Sequence, residues 1–172
     1  MTIVLPRWEE ITREERFFTV MLFDTLRQNK EPFWDEARFC LGLDESIEIS
    51  DIGYEVCLLR DLAHAQLLGK PEAWTLRKQT FDFVFTLSND AVVLVEAKAH
   101  ERFQTGQLKK MKEAGSILKE SNLGVTEVHL LGICSSQCKS RACTTFGVPC
   151  VSWRRLAELY QACDIFLMPS TQ

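Results

Sequence analysis

Asp82, Glu96 and Lys98 are the residues whose types and spacing can do chemistry. Phe81, Phe83, Phe85 and Leu87 alternate with Asp82, Val84 and Thr86; turn-prone Ser88-Asn89-Asp90 follows, and then the almost wholly apolar run Ala91–Lys98. That pattern predicts a β-hairpin whose second arm is covered on both faces. A three-residue loop at 88–90 pairs Leu87 with Ala91, and the same register sets Asp82 directly opposite Glu96. Strand alternation then places Asp82, Glu96 and Lys98 on one face. Two facing carboxylates repel unless a cation or a proton lies between them. A divalent ion that prefers oxygen ligands, Mg²⁺ above all, satisfies both and fills its remaining positions with water and phosphate oxygens. Lys98 is then placed to orient or deprotonate a water and to stabilise charge developing on phosphate. A two-residue loop at 89–90 would turn Asp82 to the opposite face, so the chemistry depends on register.

Several elements must hold these residues. Residues 8–27 read as a helix, with Ile11, Phe18, Leu22 and Leu26 at three- and four-residue steps, and Thr12 with Glu15 is a capping box that would move its start to Thr12. Glu14 and Glu15 flank its apolar face, either as solvated carboxylates favouring the helix dipole or with one aimed into a site. After a break at Asn29–Pro32, Phe33–Leu41 is a short helix stopped by Gly42, and the acidic stretch 44–51 is a solvated loop or helix start without calcium-loop spacing. Residues 54–68 repeat apolar side chains at helical spacing up to Gly69 and Pro71, making 31–75 a helical insertion after the first helix. Beyond the hairpin come a helix at Gln104–Glu120, a buried strand at Val128–Ile133, a short strand at Cys150–Ser152, and a helix at Trp153–Cys163 capped by Ser152. The expected architecture is a single α/β domain over 1–172, a three-layer sandwich with a central mixed β-sheet flanked by helices and its core in 76–163.

Asp82 followed by Glu96-Ala97-Lys98 resembles the motif of the PD-(D/E)xK nuclease superfamily, the restriction-endonuclease-like fold. The resemblance covers the first helix and most of 76–163; Thr80-Phe81 stands where the motif's proline would be. It implies an αβββαβ core, metal-dependent phosphodiester cleavage, DNA as the expected substrate, and Mg²⁺ as cofactor with Mn²⁺ able to substitute. By position, Asp82 and Glu96 match the metal-binding acids and Lys98 the catalytic lysine. Glu15, with Glu14 as the alternative, matches a Glu that such families add from the first core helix. Gln107, or Gln104, matches a Gln on the helix after the lysine. The alternative expectation is a catalytically inactive nuclease-fold domain that binds nucleic acid or a protein partner.

Composition agrees with a single core and limits the partners. The chain has 172 residues, 46% of them hydrophobic, and a formal charge of −4, which excludes a protein coated in positive charge. The charge is unevenly spread: residues 1–75 carry about −7 and residues 76–155 about +5. Lys78, Arg102, Lys109, Lys110 and Lys112, with His100 and Gln104, are therefore the expected substrate-binding surface beside Lys98, the alternative being the solvated side of a helix and, for His100, a surface histidine. Region 31–75 is too acidic to face DNA and is the expected site of a homodimer or protein contact. His129, on a buried strand, is expected to be a hydrogen-bonded core residue, and His64 a packed or surface one. The spacing of Cys134, Cys138, Cys143 and Cys150 lacks the paired CxxC of a metal site and favours small buried thiols over zinc or an iron–sulfur cluster. No run approaches the roughly 18–20 apolar residues of a membrane helix, and the charged N-terminus resembles no signal peptide, so a cytoplasmic protein without membrane contact is expected.

Overall fold

The alternating run around Asp82 and the apolar run before Lys98 form adjacent strands in the computed structural model of the chain, which describes residues 15–68, 78–99, 102–135 and 141–162. The elements follow the order α1 Glu15–Gln28, α2 Glu31–Leu41, β1 Ile49–Val56, α3 Leu58–His64, β2 Phe81–Leu87 and β3 Val92–Lys98. After these come α4 Thr105–Lys119, β4 Val128–Cys134, α5 Arg141–Phe146, β5 Cys150–Ser152 and α6 Trp153–Ala162. The strands make one open sheet in the order β1-β2-β3-β4-β5. The β1–β2 and β2–β3 pairs are antiparallel, while β3–β4 and β4–β5 are parallel, so the sheet is mixed.

The hairpin has the expected register. Phe83 pairs with Val95 and Phe85 with Val93, and Leu87 N–H donates to the Ala91 carbonyl at 2.9 Å, which closes the three-residue loop. Asp90 takes φ 63° there, a left-handed conformation that Asp tolerates better than most side chains. Val92 and Leu94 share one face of β3 with Glu96 and Lys98, and Val93, Val95 and Ala97 share the other.

Both faces are covered. Phe83, Phe85, Val93, Val95 and Ile133 pack against Leu22 and Leu26 of α1, Phe33 and Trp34 of α2, and Leu156 and Tyr160 of α6. Phe81, Leu94 and Cys134 pack on the opposite side with Leu58 and Leu59 of α3 and Leu108, Met111 and Ala114 of α4. Each fully buried Phe or Leu contributes about 1.5–3 kcal/mol of transfer free energy. The result is an α/β sandwich, as the alternation of elements requires.

Region 31–75 departs from the expected helical insertion. Its helix α2 ends as foreseen, with Gly42 at φ 68° and the Leu43 N–H donating to the Arg38 carbonyl at 3.1 Å. Ile49–Val56, however, is a strand that completes the sheet beside β2, with Ile52 opposite Phe85 and Tyr54 opposite Phe83. The apolar residues Ile52, Tyr54 and Val56 have a period of two as well as fitting a helical face. Their β-branched and aromatic side chains favour the strand. Gly53 permits it, because a Cβ there would lie 2.6 Å from Cγ2 of Val56. The acidic loop before it is a turn in which Asp44 accepts from both the N–H and the hydroxyl of Ser46, and these bonds hold its carboxyl below the usual range. Region 31–75 therefore supplies a sheet strand, and the helix expected over 54–68 is confined to Leu58–His64, with His64 exposed in its last turn.

Among the described residues, no helix is long and apolar enough to cross a membrane.

Candidate active site

A carboxylate buried in an apolar layer needs donors, and Glu96 has them. It is 6% exposed, and its Oε1 accepts from Lys98 Nζ at 3.0 Å and, in a very short bond, from Gln107 Nε2. Lys98 is itself 8% exposed, so an ion pair is buried at the C-terminal end of β3. Gln107 reaches it because Gln104 stands at the N-cap of α4, with its carbonyl accepting the Gln107 and Leu108 N–H groups at 3.0 and 3.1 Å. The first turn of α4 is thereby placed over the strand end.

The β2–β3 pairing runs from Thr86 opposite Val92 to Phe83 opposite Val95, and Asp82 and Glu96 are the next residues of the two strands. Asp82 is half-buried, and its Oδ2 accepts the Ala97 N–H at 2.7 Å. The carboxylate thus crosses to the main chain between Glu96 and Lys98, a place where a ladder carbonyl would otherwise bond. On the other side of β3, the indole N–H of buried Trp153 donates to the Lys98 carbonyl at 3.1 Å. The backbone of Glu96-Ala97-Lys98 is therefore gripped from both neighbouring directions by side chains remote in sequence. Gly132 lies beside Glu96 in the β3–β4 register. Its missing side chain leaves room for the Phe103 ring and the Cys150 thiol, which a Cβ would approach to 2.9 and 2.7 Å.

The structure thus brings together Asp82, Glu96, Lys98 and Gln107, four of the residues expected at the site. It leaves others apart. Gln104 is exposed at the helix start; Lys78, Arg102, Lys109 and Lys110 are exposed, and Lys109 pairs with Glu113 at 3.9 Å along α4. Lys112 lies on another face, 5.3 Å from the Phe146 ring centroid. Glu14 and His100 fall outside the described residues, and for Glu15 only the helical backbone is described. Cys138 is likewise outside, while Cys134 and Cys143 are buried thiols and Cys150 is half-buried against them. Hydrogen bonding with Cys134 is the first cause, and burial the second, that pushes the Cys150 thiol pKa far above its ordinary value. Among the described residues, no group of three or more His, Cys, Asp or Glu side chains converges as a metal site.

Trp153 is the site neighbour that sequence reading missed. It was legible only as the start of α6, although a Trp at a strand–helix junction carries a donor that must find a partner once buried. His129 also differs from expectation. It is half-buried, with its Nε2 buried and lacking a hydrogen bond, and the Glu127 carboxylate stands 3.6 Å away. His129 lies near the start of β4, outside the Gly132–Cys134 stretch that pairs with β5.

Comparison with protein-family models, curated proteins and solved structures returns no match to the chain.

Proposed function

We propose that the protein is a metal-dependent nuclease that hydrolyses phosphodiester bonds, with DNA as its substrate and Mg²⁺ or Mn²⁺ as cofactor. One observation carries this reading: Glu96, Lys98 and Gln107 meet where β3 ends, the lysine buried against the carboxylate, and the Asp82 carboxylate of the neighbouring strand accepts the Ala97 N–H between them. With α2 before β1 and α3 between β1 and β2 as additions, the sequence of α1, antiparallel β1, β2 and β3, α4 and parallel β4 is compatible with the αβββαβ core of restriction-endonuclease-like proteins. A three-layer sandwich of that fold is the architecture proposed.

Asp82 and Glu96 offer only hard oxygen donors from adjacent strands, which suits Mg²⁺ better than a softer ion. Glu15, at the start of α1, is the third acid that the resemblance implies, on a helix that packs against the Val93–Val95 face of the sheet, opposite the face that carries Glu96 and Lys98. A bound divalent cation would supply Lewis acidity toward the phosphate and make a coordinated water more acidic. The chain's own residues do the rest. Gln107 fixes the Glu96 carboxylate by its amide, and Glu96 in turn holds the Lys98 ammonium at the strand end. Lys98 orients the attacking water and donates to the negative charge that builds on the phosphate oxygens. The water oxygen forms the new bond to phosphorus and gives up a proton to solvent, the bridging P–O bond breaks, and the departing oxygen takes a proton from solvent. Lys78, Arg102, Lys109 and Lys110, with His100, supply the positive surface that follows the substrate backbone.

The test is to incubate the protein with plasmid, single-stranded DNA and RNA in Mg²⁺ or Mn²⁺. Wild type should cleave DNA, and Asp82→Ala and Lys98→Ala should each cleave at least about a hundredfold more slowly. A wild type that cuts none of the substrates, or variants that cut equally well, would remove the basis of the assignment. An inactive wild type that still binds DNA in a gel-shift experiment would point instead to a binding domain on this fold.

A further inference from the structure

A sheet of five strands has two edges, and the two edges here are finished differently. The β1 edge carries devices that discourage another strand from joining: a register shift between Ile49 and Asp51, Glu55 at φ 49°, and exposed Asp51 and Glu55. The opposite edge has no such protection along its lower half. β5 pairs only with Gly132–Cys134. Gly132 N–H donates to the Pro149 carbonyl at 2.9 Å, which fixes the even-numbered residues of β4 as those facing this edge. The next carbonyl down, that of Leu130, would take its bond from the N–H of position 149, and proline has none. Pro149 therefore ends β5, and among the described residues no strand pairs with the edge beside Val128 and Leu130.

That edge is the floor of a groove of about 930 Å³. His129, Cys40 and Leu41 line one wall, and Lys112, Ser116 and Lys119 of α4 the other, with Phe146 of α5 beside Lys112. Val128, His129 and Leu130 are half-buried, and Nε2 of His129 is the buried side-chain nitrogen that lacks a hydrogen bond. Glu127 offsets charge on the His129 wall at 3.6 Å, so the net positive wall is that of the two exposed lysines. An extended peptide matches this combination: its main chain supplies donors and acceptors to the strand edge, and alternate side chains enter the walls. Carboxylates complement the lysines. A nucleic-acid backbone would answer the lysines but not the strand edge.

We propose that this groove receives an extended segment of a partner protein, added as a strand alongside Val128–Leu130 with its carboxylate side chains facing Lys112 and Lys119. The location is independent of the catalytic reading, because Gly132 lies beside Glu96 and Val128 beside Val92, about 13 Å away along the strands.

The test is selection of a random eight-residue displayed peptide library on the full chain, followed by calorimetric titration of the enriched peptides. Enriched sequences should carry Asp or Glu. A Lys112→Glu/Lys119→Glu protein, with both changes exposed and its fold checked by circular dichroism, should bind them at least about tenfold more weakly. N-methylation of the peptide amides in one alternating set should weaken binding by about three- to tenfold or more, and in the other set should not. No enrichment, equal binding by the charge-reversed protein, or indifference to both N-methyl sets overturns the proposal. So does displacement of the peptides by a DNA oligonucleotide, or self-association of the protein that the two substitutions abolish, since each names a different occupant.

Discussion

The indole N–H of Trp153 donates to the carbonyl of Lys98 at 3.1 Å, in a buried bond between residues 55 apart in sequence. Lys98, Cys134 and Ser152 lie at one level across β3, β4 and β5, and Trp153 follows Ser152 directly. The last rung of the parallel half of the sheet thus ends in a side chain that turns back onto the strand bearing Glu96 and Lys98. Asp82 does the same from the antiparallel half through the Ala97 N–H. The two bonds fix the main chain on either side of the Ala97–Lys98 peptide, and Lys98 extends from that support into its pair with Glu96.

Trp153→Phe keeps an aromatic side chain but removes the donor and part of the buried ring volume, leaving the Lys98 carbonyl with one bond fewer. Loss of a buried hydrogen-bond partner costs about 1–3 kcal/mol, so urea denaturation should show destabilisation in that range. If the bond positions Lys98, cleavage should lose kcat with KM nearly unchanged. A variant as unstable as expected but with full kcat would show that Trp153 serves packing alone.

The buried Glu96–Lys98 pair should respond asymmetrically to mutation. Lys98→Met alone leaves a carboxylate with 6% exposure without its cation, and breaking such a pair costs about 3–5 kcal/mol. Glu96→Gln/Lys98→Met removes both charges and retains similar volumes, so it should be at least as stable as wild type. A four-member denaturation cycle measures the coupling. A double variant no more stable than Lys98→Met would show that water solvates the pair.

How much of this was legible in the chain follows from the range of each signal. The hairpin register, Phe83 opposite Val95, was readable because a local loop, Ser88–Asp90, sets it, and Gln107 because the helix begins only a few residues past Lys98. The strand Ile49–Val56 was missed because Tyr54, Val56 and Leu58 fit periods of both two and 3.6, and only its partners Phe81–Leu87 settle the choice. Trp153 was missed for a similar reason: its contact spans three strands, and nothing in its local sequence encodes the Lys98 carbonyl. The cationic side chains were counted correctly but not placed, since Lys109, Lys110 and Lys112 follow a helix whose rotation depends on the packing of Leu108 and Met111.

Asp82→Asn tests the cation without requiring turnover. The amide oxygen of Asn can still accept the Ala97 N–H, so the structural bond survives while the charge goes. Mg²⁺ should raise the melting temperature of wild type, by an amount equivalent to about 2.7 kcal/mol at a hundred times its Kd. The same titration of Asp82→Asn should give little or no shift. Identical shifts in both proteins, or none in wild type, would mean that Asp82 and Glu96 do not share a divalent ion.

Alkaline pH should expose the thiol cluster behind β4. The Cys134 hydrogen bond, then burial, then the neighbouring Cys143 and Cys134 charges all favour the neutral Cys150 thiol in the folded chain, raising its pKa above the ordinary 9.0. The unfolded chain ionises first as pH rises through about 9, while the folded chain keeps its proton. The folded state therefore binds more protons in that window, and stability falls with rising pH; below about pH 8 the contribution is complete and flat. Urea denaturation from pH 7 to 10.5 should show this decline, and Cys150→Ala should reduce its slope, because the remaining tyrosines and lysines titrate alike in both proteins. A decline of equal slope in Cys150→Ala would place the alkaline sensitivity elsewhere. The same raised pKa makes Cys150, half-buried on the wall of the open groove, slow to alkylate at neutral pH. Unfolding in urea should restore the rate of an ordinary thiol.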